Sequence, residues 1–143
     1  MDTTQLLKSA AALVPKLKSR AQLTEDLRQI PQDTIRDLLG SGIYQIGVPR
    51  SYSGNSVKYG ICLDVGVELA KGCGSAAWCY SLWTAHAYLI GHWPLAAQEE
   101  VFGGTQFPLC SSSLNPGSSK MQAADGGYKL SGRWEFSSGC DAA

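Results

Sequence analysis

The side chains best suited to chemistry in this sequence are two histidines and two clusters of serine. His86 and His92 stand in the run "WTAHAYLIGHWP". Ser111, Ser112 and Ser113 are consecutive, and Ser137, Ser138 and Gly139 close the stretch "GRWEFSSG". A hydroxyl donates one hydrogen bond and accepts two. An imidazole changes charge near neutral pH and suits proton transfer. These types fit hydrogen bonding and acid–base work on a bound molecule. They do not fit a metal centre, because His86 and His92 fall on different faces of a helix and no carboxylate accompanies them. No serine sits in a nucleophile elbow, so hydrolysis is unsupported. "GGTQFPL" and "GSGIYQIG" lack the strand–glycine–helix context of a dinucleotide or phosphate loop.

The elements that must position these groups are mostly helical. Leu6, Ala10, Leu13 and Leu17 recur at spacings of three and four, and Leu23, Leu27 and Ile30 extend the apolar face. Pro15 is expected to kink this helix or restart it. Pro31 suits a first helical position, with Asp33 in the first turn; Ile35, Leu38 and Leu39 form the buried stripe, and Gly40 and Gly42 end it. "YQIGVPRSYSGN" reads as a loop. A third helix spans about Val57 to Lys71, with Ile61, Val65, Glu68 and Leu69 on one side. Ser75 can cap a fourth helix that carries His86 and runs to about Trp93. Pro94 opens a fifth, with Glu99 and Glu100 outward. After Gly103 the texture becomes Gly- and Ser-rich, with turn signals at Pro116-Gly117 and Asp125-Gly126-Gly127. Strand candidates are Leu109 to Ser113, Lys120 to Ala124 and Tyr128 to Ser137. On the last of these Trp134 and Phe136 alternate with Glu135 and give an aromatic face. Trp78, Trp83 and Trp93 read as core, and His92 as structural.

Composition bounds the class. The chain has 143 residues, 44% hydrophobic and 17% charged, which is a globular balance with room for one modest core. Twelve basic and twelve acidic residues cancel, so no basic face for nucleic acid is implied. No charged residue occurs from Gly72 to Gln98, a run long enough to span a bilayer. Its glycines, serines, histidines and Pro94 favour a helix buried within protein instead. Five cysteines, an odd number without a C-x-x-C pair, argue for reduced thiols in a cytoplasmic protein. The N-terminal stretch has Asp2 early and Lys16, Lys18 and Arg20 late, unlike a signal peptide.

The order of elements and two stretches are more specific. "IPQDTIRDLLGSGIYQIGVPRSYSG" and "DGGYKLSGRWEFSSG" resemble the acyl-CoA dehydrogenase superfamily, in its N-terminal helical domain and the start of its middle antiparallel β-domain. The resemblance implies an α+β fold, with an all-helical domain over residues 1–103 and an incomplete flavin-binding β-domain over 104–143. The dehydrogenases of that superfamily carry a Trp-Ile-Thr-Asn type of hairpin and a Thr-Glu-Pro-x-Ala-Gly-Ser-Asp type of loop. Here Phe136 to Gly139 and Ser113 to Ser119 depart from both. "GRWEFSSGC" and "WTAHAYLIGHWP" are more similar to the two-component flavin-dependent monooxygenases of the 4-hydroxyphenylacetate hydroxylase oxygenase type.

That resemblance implies hydroxylation of a small aromatic, phenolic substrate by O2 through a flavin C4a-hydroperoxide. The flavin would arrive reduced, as FADH2 or FMNH2, from a separate flavin reductase. His86 aligns with the family's substrate-facing histidine, and Trp93 with its downstream aromatic. Ser138 aligns with the serine at flavin N5, with Ser137 as its neighbour. Ser112, Ser113, Trp134 and Phe136 are the further candidates for flavin contact; the two aromatics equally fit the β-core. A homotetramer is implied for the full-length enzyme, without metal, nucleic acid or membrane. An acyl-CoA dehydrogenase and a non-catalytic helical interaction module are the alternatives. The chain looks like the first third of a longer enzyme. An open strand edge is then expected to leave the isolated polypeptide poorly soluble or its last forty residues mobile.

Overall fold

A computed structural model describes residues 1–55, 57–104, 107–115 and 117–143 of the chain. Six α-helices precede a two-stranded antiparallel sheet. α1 spans Thr3–Ser19. It opens on a reciprocal cap: Asp2 accepts from the Gln5 amide at 2.8 Å, and the Gln5 side chain accepts from the Asp2 amide at 2.9 Å. Leu6, Ala10, Leu13 and Leu17 are its buried stripe, as their spacing requires. Pro15 does not break it. Leu13 and Leu17, on either side, are both buried, and their packing offsets the backbone bond that proline removes.

α2 (Ala21–Leu27) and α3 (Gln32–Gly40) follow. Leu23 and Leu27 do not extend the core; they are 46% and 47% exposed, because the chain re-enters helix after Arg20 and rotates the face. Arg28 closes α2 in the left-handed region, and Ile30 turns inward. Pro31 stands just ahead of α3, with Asp33 in the first turn. Asp37 of α3 accepts from Lys16 at 2.9 Å and Arg20 at 2.8 Å, tying α3 to the end of α1. Lys16, then Arg20, hold its carboxyl below the ordinary range.

Two short 3-10 turns, Tyr44–Ile46 and Arg50–Tyr52, lie within the expected loop. α4 spans Ile61–Ala70, α5 Gly74–Ile90 and α6 Leu95–Phe102. α4 packs on both α1 and α5, so the core lies among these three. α5 is buried on much of its circumference, through Ala76, Ala77, Cys79, Tyr80, Trp83, Thr84, His86 and Ala87. That explains its lack of charge. Among the described residues no helix is long and apolar enough to cross a membrane. Ser75 does not cap α5. Cys73 occupies the cap position, and the Ser75 hydroxyl, inside the first turn, donates to Glu25 at 3.2 Å.

The sheet pairs β1 (Lys120–Ala124) with β2 (Gly127–Ser131) around Asp125-Gly126, in the register Lys120 opposite Ser131. Both strands are exposed throughout. Two expected strand segments are irregular instead. Residues 109–113 pair with no strand, and β2 stops at Ser131, because β1 begins at Lys120 and offers no partner beyond it. Trp134 and Phe136 therefore do not alternate on a ladder, and Phe136 is 87% exposed with φ of 61°. Pro116, of the expected Pro116-Gly117 turn, lies outside the described residues.

Candidate functional site

The two serine clusters, far apart in sequence, meet on α5. The first is brought there by Tyr44, which is buried and donates from its hydroxyl to the Pro108 carbonyl at 2.6 Å. Burial pushes the Tyr44 phenol far above its usual range, so it remains a donor. Cys110, buried beside it, completes the anchor, and Ser111 follows half-buried.

The second cluster is a turn, Ser137 to Cys140, closed by the Cys140 amide donating to the Ser137 carbonyl at 3.2 Å. Gly139 takes φ of 77° there, and a Cβ on it would lie 2.4 Å from Trp83 Nε1. Only glycine permits that approach. The turn is held by three side chains. Trp83 Nε1 donates to the Gly139 carbonyl at 3.1 Å, and Trp78 Nε1 donates to Ser138 Oγ at 3.2 Å. Ser111 Oγ lies 2.8 Å from Ser137 Oγ and 3.2 Å from the Ser138 carbonyl.

Helix geometry relates this turn to His86. Trp78 and Trp83 are about 140° apart around α5, and His86 falls between them, about 4.5 Å along the axis from Trp83. His86 is 9% exposed. Its Nδ1 is the one enclosed side-chain nitrogen or oxygen without a hydrogen-bond partner among the described residues. Such an atom is costly unless something else supplies the partner. α5 is thus uncharged, with two indole donors that hold the turn and a buried imidazole one helical turn beyond Trp83.

The structure thus seats Ser137 and Ser138 on α5, the helix that also carries His86. Of the remaining predicted residues, Ser112 is exposed and Ser113 half-buried, next to Ser111 in the same segment. Trp134 is 36% exposed and, like Phe136, lies on the irregular approach to the turn. Trp83 is core, as expected, at 1% exposure, but Trp78 and Trp93 are not, at 61% and 55%. His92 lies beyond α5, its Nδ1 2.9 Å from the Tyr88 carbonyl and its ring against the Tyr88 ring, a structural role. Sequence reasoning missed that Ser111, Trp78 and Trp83 hold the turn. The five-residue spacing of the two tryptophans was the available signal, since it sets two indole donors on adjoining faces of one helix.

A cleft of about 280 Å³ opens behind the turn, lined by Glu25, Arg28, Cys79, Trp83, Gly139 and Asp141 among others. Neither His86 nor Ser138 lines it. All five cysteines are free, four of them buried. Burial pushes the Cys62, Cys79 and Cys110 thiols up. Among the described residues no group of three or more His, Cys, Asp or Glu gathers as a metal site.

No family model matches the chain. It is 35% identical over 140 residues to the FADH(2)-dependent resorcinol hydroxylase, oxygenase component, of Rhizobium sp. (strain MTP-10005), covering 97% of this chain and 34% of that protein. It is 36% identical over 132 residues to the flavin-dependent monooxygenase, oxygenase subunit HsaA, of Rhodococcus jostii (strain RHA1), covering 92% of this chain and 34% of that protein. The crystal structure of the HsaA monooxygenase from M. tuberculosis superposes with a TM-score of 0.95 at 34% identity, over 100% of this chain and 39% of that one. The chain spans about a third of the length of the curated relatives it matches.

Proposed function

We propose that this chain forms part of the oxygenase component of a two-component flavin-dependent monooxygenase that hydroxylates a phenolic substrate, within the acyl-CoA dehydrogenase superfamily. The observation that carries the reading is the serine turn clamped on α5, the helix that also bears the unpartnered Nδ1 of His86. The backbone shared with an HsaA monooxygenase and the similarity to a resorcinol hydroxylase support it.

The donor set fits a reduced flavin. Ser138 Oγ accepts from Trp78, which leaves it one lone pair and its own proton. A neutral group of that kind suits a ring N–H such as flavin N5. Ser112 and Ser113, next to Ser111, and Trp134 and Phe136, on the approach to the turn, are the further residues that would hold the ring. Reduced flavin supplies the electrons that activate O2. The chain's own residues do the rest: Ser138 fixes the ring edge, and the uncharged wall of α5 keeps water from the reacting atoms. His86 accepts the phenolic proton, which makes the ring a better nucleophile and contributes about 10²- to 10⁴-fold. The reading carries with it a flavin reductase as donor, assembly with further copies of the chain as a homotetramer, and a cytoplasmic location.

The test is an anaerobic titration of the intact protein with FADH2 and FMNH2, with an acyl-CoA in parallel. Saturable binding of reduced flavin without acyl-CoA binding supports the reading. Acyl-CoA binding with oxidised flavin would give the dehydrogenase alternative, and binding of neither would give an interaction module.

A further inference from the structure

The two adjacent hydroxyls of the turn, Ser137 and Ser138, have different partners, and hydrogen-bond direction separates them. A carbonyl oxygen only accepts, so Ser111 Oγ must donate its single proton to the Ser138 carbonyl, 3.2 Å away. Ser111 then has no proton left for Ser137 Oγ, 2.8 Å away, so Ser137 is the donor in that pair. The Ser137 proton is spent inside the turn. At Ser138 the direction is opposite: an indole N–H only donates, so Ser138 accepts from Trp78 and keeps its proton.

We infer that Ser111 is a positioning residue that holds the Ser137 hydroxyl and the Ser138 carbonyl inward and leaves the Ser138 hydroxyl as the one of the turn presented to a bound ligand. The inference rests on the flavin reading above for the identity of that ligand, but its hydrogen-bond logic does not. Ser111 itself is fixed from the other side, through Cys110 and the Tyr44 bond to Pro108. The core thus sets the polarity of the turn through one side chain. Without Ser111 the Ser137 hydroxyl loses its partner and the Ser138 carbonyl loses a donor, so the turn that presents Ser138 loosens.

The test compares Ser111→Ala, Ser111→Thr, Ser138→Ala and the double variant Ser111→Ala/Ser138→Ala in the intact protein. The first readout is amide exchange at Cys140, whose N–H closes the turn on the Ser137 carbonyl. Ser111→Ala should speed it about fivefold, the change expected for one ordinary hydrogen bond, and Ser111→Thr should restore it. The second readout is hydrogen peroxide released per O2 consumed when reduced flavin and a phenol are supplied. Ser111→Ala should raise it in the same direction as Ser138→Ala, and the double variant should match Ser138→Ala alone, because Ser111 acts through Ser138. Unchanged exchange in Ser111→Ala, or peroxide yields that multiply in the double variant, would overturn the inference. If the parent protein binds no reduced flavin, the functional reading fails, while the exchange readout still decides whether Ser111 holds the turn.

Discussion

Replacing Gly139 by alanine tests whether the serine turn is seated on α5. Two costs are separable. A non-glycine residue in the left-handed region costs about 1–2 kcal/mol. The new Cβ would also meet Trp83 at 2.4 Å from Nε1, 2.8 Å from Cε2 and 3.0 Å from Cζ2. Trp83 is the largest wholly buried side chain and cannot swing away, so the turn must lift and the indole bond to Gly139 must break. A broken hydrogen bond adds about 0.5–1.5 kcal/mol. The sum is about 2 kcal/mol or more, a factor of about thirty in opening of the turn. Gly126→Ala is the control: Gly126 has φ of 75° with no atom within 4 Å of where its Cβ would stand, so it carries the backbone cost without the collision. The four tryptophans give four indole N–H signals in a nitrogen-labelled spectrum. In Gly139→Ala the Trp83 and Trp78 indoles should shift and exchange faster, while Trp93 and Trp134 stay in place. In Gly126→Ala all four should stay in place. Equal spectra for the two variants would refute the seating of the turn.

Other parts of the molecule make three further outcomes checkable. His86→Ala in the intact protein should lower hydroxylation about 10²- to 10⁴-fold while binding of reduced flavin persists; equal loss of both would make His86 structural. Asp37→Asn should destabilise the protein by about 0.2–1 kcal/mol at neutral pH, read by urea denaturation. Its carboxyl is held below the ordinary 3.8, so that contribution is present above the ordinary value and lost as pH falls through the depressed one; parent and variant should converge in acid, and a constant gap would contradict the pairing. Of the five thiols only Cys140 is exposed, so about one equivalent should react quickly with a thiol reagent in the native state, and fast reaction of more would contradict the burial of Cys62, Cys73, Cys79 and Cys110.

Much of the helical layer was legible because apolar spacing reports burial directly. Leu6, Ala10, Leu13 and Leu17 on α1, and Val65 and Leu69 on α4, are buried as their periodicity requires. The hairpin was legible from the turn signal Asp125-Gly126-Gly127, with Lys120–Ala124 as the strand expected before it. Strand pairing beyond Ser131 was not, since alternation at Trp134 and Phe136 says nothing about whether a partner strand exists. The cap of α5 was misread because Ser75 found a better acceptor in Glu25, fifty residues away. Ser137, Ser138 and His86 were visible as residue types with a chemical use. Ser111, Trp78 and Trp83 were not visible as their supports, because hydrogen bonds spanning 26 to 60 residues leave no local trace.

If the hydroxyl turn and His86 serve oxygen transfer to a phenol, the inserted atom comes from O2. The decisive experiment supplies the intact protein with photoreduced flavin, a resorcinol-type phenol and ¹⁸O2, and weighs the product. One labelled oxygen is expected in the hydroxylated phenol, with the label falling and peroxide rising in Ser138→Ala. Product that carries its new oxygen from water, or phenol recovered unchanged while reduced flavin is bound, would contradict the proposed role.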